Sequence, residues 1–455
     1  MDRFVNSGDG PAFQPIEIGH PRYIGLIDPD TAFWSLVERG KLSDIMRDSE
    51  LLRAYRKKRE SFRAEMDRLR FGLRPSAVYF NITERCNLNC RYCYIPEHMR
   101  RNGRHMSEKT VIDALQLLKA YFKTSAGNAS LPKIIFHGAE PLLNKKALRA
   151  AIEKFSGDFM FGIQTNTVLL DAEMVSFLKS NKVSIGISLD GPTAETVNRT
   201  RASWSGEGVF HSVIEAMKLL RGYDAWSAIC TITTENVRSL PGLTAFLHKN
   251  EVPTCLLNVV RCTLPSARKI KPADALAARY FIKALETSHR LYKESGRKLV
   301  VANFANILIS ILAPTARRLM CDISPCGGGR SFFALVPNGD IFPCSEFIGL
   351  KRFKGGNIFK DSVKNILKSD PFKLVTERKV EKIEPCRRCA IRHFCGSPCP
   401  AEAYEMNGGM NKTGSFCEFY EEQTRFAFRL IADNRHEAFL WDGWDRGTKE
   451  IFNVT

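Results

Sequence analysis

Cysteines are the residues of this 455-residue chain whose type and spacing most directly suggest chemistry. Three of the fourteen, Cys86, Cys90 and Cys93, lie close together in ITERCNLNCRYCYIP, with three and then two residues between the thiols. Two further groups follow near the C-terminus: Cys321, Cys326 and Cys344, then Cys386, Cys389, Cys395, Cys399 and Cys417. Disulfides rarely persist in a reducing compartment, so grouped thiols in a cytoplasmic chain indicate metal ligation or catalysis.

Composition narrows the classes of protein that could use these thiols. The chain is 44% hydrophobic and 25% charged, which excludes a disordered tail protein. The N-terminus MDRFVNSGDG has no apolar core of a signal peptide, and polar residues interrupt the most apolar run, 299–316. We therefore expect a cytoplasmic protein with no membrane partner, in which 299–316 is a buried core element. The net charge of +18 favours an anionic partner such as nucleic acid, an acidic peptide or a phosphorylated small molecule.

Apolar runs of strand length alternate with helical patterns through the middle of the chain. The predicted strands are 77–83, 133–138, 159–165, 183–189, 226–232 and 255–260. The predicted helices are 107–122, 144–156, 171–181, 209–222, 237–249 and 272–295. This alternation is typical of an α/β fold with a parallel sheet, here a partial (β/α)6 TIM-like barrel. In such barrels the active site lies at the C-terminal ends of the strands, where the cysteine triplet, Glu140, Asn166 and Asp190 fall.

The cysteine triplet at the end of the first strand resembles the signature of radical S-adenosylmethionine (SAM) enzymes. Three thiolates can hold three irons of a [4Fe-4S] cluster and leave the fourth iron open. The resemblance implies that this iron binds SAM and that reductive cleavage gives a 5′-deoxyadenosyl radical, with Cys86, Cys90 and Cys93 at the catalytic centre. A structural zinc site is the alternative, although such sites usually have four protein ligands.

Motifs at other strand ends resemble the SAM-binding elements of the same family. In HGAEPLL, Gly138, Glu140 and Pro141 match the family's Gly-Gly-Glu-Pro motif, whereas Ala139 departs from the second glycine. Alanine is disfavoured at positive φ, so we expect a negative φ at Ala139. Asn166 is followed by Thr167, which stands in another glycine position. The resemblance implies cofactor-binding roles for these residues and for Tyr92, Ser188, Asp190 and either Arg199 or Arg201, the last two being candidate partners of the SAM carboxylate.

The C-terminal cysteines resemble the SPASM domain, an extension with two auxiliary [4Fe-4S] clusters. The resemblance implies that Cys321, Cys326, Cys344 and Cys399 hold the first auxiliary cluster and that Cys386, Cys389, Cys395 and Cys417 hold the second. Full ligation by protein would favour electron transfer or structural support over substrate ligation. A zinc ribbon is the alternative. The three remaining cysteines, Cys230, Cys255 and Cys262, are predicted to be small buried core residues.

Members with this architecture mostly modify peptides, so the leading hypothesis is a maturase of a ribosomally made precursor peptide. In the sulfatase-maturing branch an Asp acting as base follows the cysteine that corresponds to Cys344, whereas this chain has Ser345 and then Glu346. Serine cannot be that base at neutral pH, so Glu346, or alternatively Asp340, is the candidate. Formylglycine formation in sulfatases, nucleic-acid modification and a non-catalytic iron-sulfur carrier remain alternatives. Implied partners are a precursor peptide, with a leader that could be acidic, and a one-electron reductant such as flavodoxin or ferredoxin.

The resemblances divide the chain into four parts. Residues 76–295 are predicted to form the barrel and 296–425 the SPASM domain, followed by a tail over 426–455. Residues 1–75 show only PRYIGLI as a strand candidate and one helix near 44–70, which fits either a leader-binding domain or a structural cap. The segment after Cys417 is predicted to be a helix that packs back on the barrel with its aromatic residues in the core.

Overall fold

The structure is a computed structural model, which describes residues 13–47, 49–124 and 131–445. The N-terminal segment in which no signal peptide was recognised, and the last ten residues of the predicted tail, lie outside these ranges. Among the helices described, none combines the length and the apolar character that crossing a membrane requires.

The N-terminal region is a small antiparallel sheet followed by two helices. Its strands, in the order β1-β2-β3, are β1 (Gln14–Ile16), β2 (Tyr23–Ile27) and β3 (Trp34–Glu38); the helices are α1 (Leu42–Arg47) and α2 (Glu50–Phe71). Ser49 begins α2 by accepting a hydrogen bond from the Leu52 amide at 3.2 Å. The predicted strand is confirmed, and the single helix predicted near 44–70 is confirmed over α2, whereas residues 44–47 belong to the separate helix α1. The prediction of a single strand is wrong, since β1 and β3 are also present.

Six parallel strands form the centre of the molecule. They are β4 (Ala77–Phe80), β5 (Lys133–Phe136), β6 (Met160–Thr165), β7 (Ser184–Ser188), β8 (Trp226–Ile232) and β9 (Thr254–Val259), and each pairs with its neighbour in sequence. All six predicted strands are therefore confirmed, as is their parallel arrangement. The consequence for the site is that all six C-terminal ends lie along one edge of the sheet.

Helices connect these strands and cover the sheet. They are α3 (Glu97–Asn102), α4 (Glu108–Thr124), α5 (Lys145–Phe155), α6 (Ala172–Ser180), α7 (Ala194–Asn198), α8 (Phe210–Leu220), α9 (Leu240–Lys249), α10 (Pro265–Arg268) and α11 (Asp274–Ser295). In α5 the buried residues Ala147, Leu148, Ala151, Ile152 and Phe155 recur at helical spacing, so one face packs on the core. The six predicted helices are confirmed to within a few residues.

The central sheet continues beyond the six predicted strands on both sides. β10 (Val300–Val301) pairs parallel to β9 and leads into the buried helix α12 (Ala302–Leu312), which confirms 299–316 as a core element. At the other side β11 (Phe332–Leu335) pairs parallel to β4, and β12 (Asp340–Phe342) and β13 (Gly356–Asn357) extend it antiparallel. The strands of the cysteine-rich region therefore join the very strand that leads into the Cys86 loop.

The C-terminal cysteines lie among short helices. These are α13 (Val363–Ile366), α14 (Asp370–Thr376), α15 (Arg392–Cys395), α16 (Pro400–Asn407) and α17 (Cys417–Ala432). The last helix contacts α11 and α12 and buries Phe419, Phe426 and Phe428, as predicted for the segment after Cys417. Cys230, Cys255 and Cys262 are each at most 1% exposed, which confirms them as core residues.

Candidate active site and metal centres

The loop after β4 holds the first three cysteines in a fixed shape. The Cys86 amide donates to the Arg100 carbonyl at 2.9 Å, and the Cys93 amide donates to the Cys90 carbonyl at 3.1 Å. The Trp204 indole donates to the Cys86 carbonyl at 2.8 Å and so covers one side of the loop. Burial, reinforced by the charges of Glu140 and of the other two thiols, raises the pKa of Cys86 to about 12. Three partly buried thiols lie in this one loop without an imidazole among them, a donor set that suits the iron of an iron-sulfur cluster.

Glu140 connects the ends of the second and third barrel strands. Its carboxylate accepts hydrogen bonds from the Thr165 hydroxyl at 2.8 Å, the Asn166 amide at 2.8 Å and the Leu142 amide at 3.0 Å. The residue is fully buried, and burial raises its pKa. A carboxylate has about four acceptor positions, so one remains for a ligand. Pro141 follows it in the first turn of a short 3-10 helix.

Asn166 reaches from the end of β6 to the cysteine loop. Its side-chain amide lies 3.7 Å from the Cys86 sulfur and donates to the Asn87 side chain at 2.8 Å. Asn166 is thus placed beside the first cysteine, in agreement with its predicted position near the cofactor. Ser188 closes β7 at the same edge and is partly exposed.

Tyr92, Asp190 and Arg201 form a buried polar cluster at the end of β7. The Tyr92 hydroxyl donates to Asp190 at 2.6 Å and accepts from Arg201, whose guanidinium lies 3.7 Å from the Asp190 carboxylate. The Arg201 Nε is buried and has no hydrogen-bond partner. Arg199, by contrast, points to the surface, where it pairs with Glu195. Of the two arginines that the sequence left open, only Arg201 therefore lies in the site.

A second unpaired polar atom lies close to the Gly138 turn. The Asn81 side-chain oxygen is buried without a partner, and a Cβ on Gly138 would lie 2.6 Å from it and 2.1 Å from the amide nitrogen. An orphan acceptor at Asn81 and an orphan donor at Arg201 match the ammonium and carboxylate groups of an amino-acid moiety. The residues present therefore fit SAM. Asn81 was missed because nothing in AVYFNIT distinguishes it from an ordinary strand end.

The expectation of a negative φ at Ala139 is wrong. Ala139 has φ +42° and Thr167 has φ +73°, so both non-glycine residues adopt the left-handed conformation that the family's glycines adopt without strain. For the β-branched Thr167 this conformation is an outlier, and its hydroxyl donates back to the Asn166 carbonyl at 2.6 Å.

The eight C-terminal cysteines fall into two sets. Within each set the charge of one thiol affects the pKa of another. Burial raises the pKa of Cys344, and the charges of Glu346, Cys321 and Cys399 raise it further. Burial likewise raises the pKa of Cys395, and the charges of Cys389, Cys417 and Cys386 add to the shift. Cys326 joins the first set through Cys321. These mutual effects are compatible with the two foursomes that the resemblance implied, whose assignment to two clusters stays a prediction.

The spacing of the thiols bears on the zinc alternative. A zinc ion needs all its ligands about 2.3 Å from one point. Within the described ranges, no three Cys, His, Asp or Glu side chains converge on a common ion position in that way. In a [4Fe-4S] cluster each thiolate binds a different iron, so the sulfurs stand further apart. The zinc alternative and the cluster assignment therefore differ in the thiol spacing that they require.

Glu346 lies between the first C-terminal set and the barrel. Its carboxylate is 4.0 Å from the Arg261 guanidinium, which in turn is 3.6 Å from Glu402. Burial raises the pKa of Glu346 to about 7, Arg261 opposes the shift and Glu402 adds to it. One oxygen of Glu346 has no partner and is buried. Asp340 lies instead at a hairpin turn, where it bonds Asn357 at 2.9 Å.

A cluster of partly buried polar side chains lies next to Glu346. His137 Nδ1 is 3.3 Å from the Ser345 hydroxyl and 3.5 Å from the Tyr94 hydroxyl. Burial lowers the pKa of His137 to about 4, so the ring is neutral at pH 7. Burial raises the pKa of Tyr94, and the charges of Glu346, Cys93 and Cys344 raise it further. Sequence reasoning missed these residues, although Tyr94 and His137 adjoin the motifs.

Comparison with known families now identifies the class. Residues 80–247 match the radical SAM superfamily, and residues 326–390 match the SPASM family, an iron-sulfur cluster-binding domain. The chain belongs to the radical SAM enzymes with a SPASM domain. These domains imply SAM, its [4Fe-4S] cluster and auxiliary clusters as cofactors, which confirms the cofactors and the enzyme class predicted from the sequence.

Relatives in sequence are of two kinds. An uncharacterized protein of Archaeoglobus fulgidus is 38% identical over 417 residues, which cover 92% of this chain and 94% of that protein. A cysteine-type anaerobic sulfatase-maturating enzyme of Clostridium perfringens is 23% identical over 365 residues, covering 76% and 94%. This chain therefore spans nearly the full length of both relatives.

Solved structures share the fold at low sequence identity. A sulfatase-maturating enzyme with bound SAM, anSMEcpe, superimposes with a TM-score of 0.69 at 17% identity over 82% of this chain and 97% of that chain. Streptococcus suis SuiB bound to its precursor peptide SuiA gives a TM-score of 0.59 at 14% identity over 89% and 97%. Both similarities establish the predicted fold class.

Proposed function

We propose that this protein is a radical SAM maturase that oxidises or cross-links a residue of a ribosomally made precursor peptide. The observation that carries the proposal is the half-buried carboxylate of Glu346, one oxygen of which is buried without a partner. Glu346 lies two residues after Cys344, with Ser345 in the position next to the cysteine. Peptides are named with two structural neighbours, SuiB with its precursor peptide SuiA and anSMEcpe with the Cp18Cys peptide, and a relative in sequence is the mycofactocin maturase MftC.

The proposed roles divide the site into two halves. Cys86, Cys90 and Cys93 hold the SAM-binding cluster, and Arg201 binds the SAM carboxylate through its unpaired Nε. When bound, SAM and its cluster supply the 5′-deoxyadenosyl radical that abstracts hydrogen. Glu140 and Asn166 keep the strand ends and the cysteine loop in register.

On the other side, Glu346 accepts the proton that the substrate loses on oxidation, and the C-terminal cysteines would hold the auxiliary clusters, which would provide an acceptor for the electron. This division is chemically balanced, since loss of a hydrogen atom, a proton and an electron leaves an oxidised side chain. Tyr94, His137 and Ser345 line the space between the two halves and offer hydroxyl and imidazole groups to the peptide.

A sulfatase-maturating activity is the second candidate. The similarity to anSMEcpe favours it, as does a carboxylate, Glu346, only one residue from the position where that branch has its Asp. Ser345 argues against it, because its hydroxyl is not a base at neutral pH and lies against a neutral His137.

The remaining parts of the chain are assigned as follows within the proposal. The basic surface, with a net charge of +18, suits an acidic leader, and the edges of the N-terminal sheet, β1 and β3, suit β-strand addition. A one-electron reductant such as flavodoxin or ferredoxin completes the system. Residues 1–75, 76–295, 296–425 and 426–455 remain the proposed divisions of the chain.

The experiment uses anaerobically reconstituted protein with SAM and dithionite. It is incubated in parallel with acidic precursor peptides encoded beside its gene and with a sulfatase-motif peptide containing Cys or Ser. The proposal expects 5′-deoxyadenosine in both and loss of two hydrogen atoms, read by mass spectrometry, only from a precursor peptide. Formylglycine in the sulfatase peptide would establish the second candidate instead. About twelve irons per chain are expected before turnover.

A further inference from the structure

Arg378 is a buried arginine whose charge none of the roles above explains. It is 3% exposed and follows α14. Its guanidinium donates to the backbone carbonyls of Met410 at 2.6 Å, Ser397 at 3.0 Å and Lys412 at 2.8 Å. These carbonyls satisfy its hydrogen bonds but carry no net charge. Among the residues that the structure describes, no carboxylate forms an ion pair with Arg378.

Another buried arginine in the same region shows the contrast. Arg70 is 4% exposed and donates to the Ser324 carbonyl at 2.6 Å, but it also pairs with Glu381 at 2.7 Å. A buried charge without a counter-charge costs several kcal/mol, so buried arginines are normally paired. The fold therefore calls for negative charge near Arg378 that the described carboxylates do not supply.

Arg378 lies where that charge would be found. Burial lowers its pKa, and the thiols of both cysteine foursomes oppose this shift: Cys326 and Cys399 from the first, Cys386 and Cys395 from the second. Arg378 donates to the Ser397 carbonyl and, at 3.3 Å, to the Ser397 hydroxyl. In the sequence Ser397 is the middle residue between Cys395 and Cys399. The guanidinium is therefore bound to the loop that joins a proposed ligand of one auxiliary cluster, Cys395, to a proposed ligand of the other, Cys399.

We propose that Arg378 is the shared counter-charge of the two auxiliary clusters and raises the reduction potential of both. The inference rests on the proposed assignment of the eight C-terminal cysteines. A [4Fe-4S] cluster with four thiolates is anionic, and one-electron reduction adds a further negative charge. A fixed cation nearby stabilises the reduced form more than the oxidised form. Both clusters thereby become better acceptors of the electron that substrate oxidation releases.

The test is a redox titration that does not depend on substrate. Cys86, Cys90 and Cys93 are replaced by Ala, so that only the auxiliary clusters remain, and their reduction by dithionite is followed by electron paramagnetic resonance. Arg378→Met is expected to lower both midpoint potentials, while Arg378→Lys keeps them near the parent values. Arg70→Met is the matched control, since it removes a buried guanidinium that already has a carboxylate partner, and it is expected to shift neither.

Each other outcome also decides the question. Unchanged midpoints in R378M with a full complement of about eight irons would overturn the proposal. If R378M does not assemble its clusters, assembly in R378K still supports the need for positive charge. Loss of clusters in both R378M and R378K would reduce Arg378 to a clamp on the Ser397 loop and refute the redox role. Failure of the maturase proposal would instead leave these potentials untouched and appear as absence of peptide product.

Discussion

Replacing Arg201 or Arg199 by Gln should separate the arginine that binds SAM from its neighbour at the surface. Arg201 is buried, with an unpaired Nε beside Tyr92 and Asp190, whereas the Arg199 side chain is 51% exposed and pairs with Glu195. A charge-assisted hydrogen bond contributes about 1.5–3 kcal/mol. At about 1.4 kcal/mol per tenfold change, Arg201→Gln should weaken SAM binding by about 10- to 140-fold. Arg199→Gln should leave it unchanged, since exposed pairs contribute about 0–1 kcal/mol.

The assay is equilibrium binding of SAM to reconstituted protein of known iron content. Iron content matters because Arg201→Gln leaves Asp190 buried without its cation, which by itself destabilises a fold by about 3–5 kcal/mol. Arg201→Lys keeps the positive charge and should retain the iron-sulfur cluster. Lysine lacks the two parallel N–H donors of a guanidinium, so this variant should bind SAM with intermediate affinity. The reasoning is refuted if Arg201→Gln with full iron binds SAM normally, or if Arg199→Gln is the variant that loses it.

Three further predictions test other parts of the site. Glu346→Gln should leave SAM cleavage intact but lower peptide product per 5′-deoxyadenosine by about 10²- to 10⁴-fold, whereas Asp340→Asn should not; equal effects would remove Glu346 from the mechanism. Gly138→Ala should destabilise the protein by about 1–3 kcal/mol and weaken SAM binding, because its Cβ would lie 2.1 Å from a side-chain nitrogen; normal SAM affinity would contradict this. Ala139→Gly should raise the urea concentration at the midpoint of unfolding, because it relieves about 1–2 kcal/mol of left-handed strain and costs only about 0.4–1 kcal/mol in entropy of the unfolded chain. Ala275→Gly in α11, where no such strain exists, should lower the midpoint. A shift of the same sign in both variants would refute the strain argument.

The six barrel strands could be predicted because each is a run of apolar and β-branched residues bounded by turn residues. Among the strands that were not predicted, β1 and β3 belong to the small N-terminal sheet. Their sequences carry no clear strand pattern, and they are extended because they pair with β2. The pairing of β11 with β4 was equally invisible, since it joins residues more than 250 positions apart. Local patterns report periodicity and turns, whereas pairing between distant segments depends on the packing of the whole chain.

The candidate site divides in the same way. Cysteine spacing and strand-end motifs are local, so the positions of Cys86, Glu140 and Asn166 could be read from sequence. The Arg261 contact with Glu346 and Glu402 could not, because it joins the end of β9 to a short 3-10 helix and to α16 in the cysteine-rich region. Choosing between Arg199 and Arg201 also required burial, since both lie in the same five-residue segment and only their surroundings differ.

Ala139 and Thr167 stand where the family's motifs have glycine. The motifs predicted the positions of these loops correctly, whereas the preference of alanine for negative φ gave the wrong conformation at Ala139. The backbone at Ala139 is fixed by its neighbours: the His137 amide donates to Phe80 at 3.2 Å and the Glu140 amide donates to Arg85 at 3.0 Å. These bonds tie the turn to β4 and to the cysteine loop, so φ is set by the strand ends, not by the side chain at 139. Strain of this kind persists only when the surroundings over-determine the conformation. A positive φ at both Ala139 and Thr167 therefore indicates that the site's loops are rigid enough to impose their shape on unsuited residues.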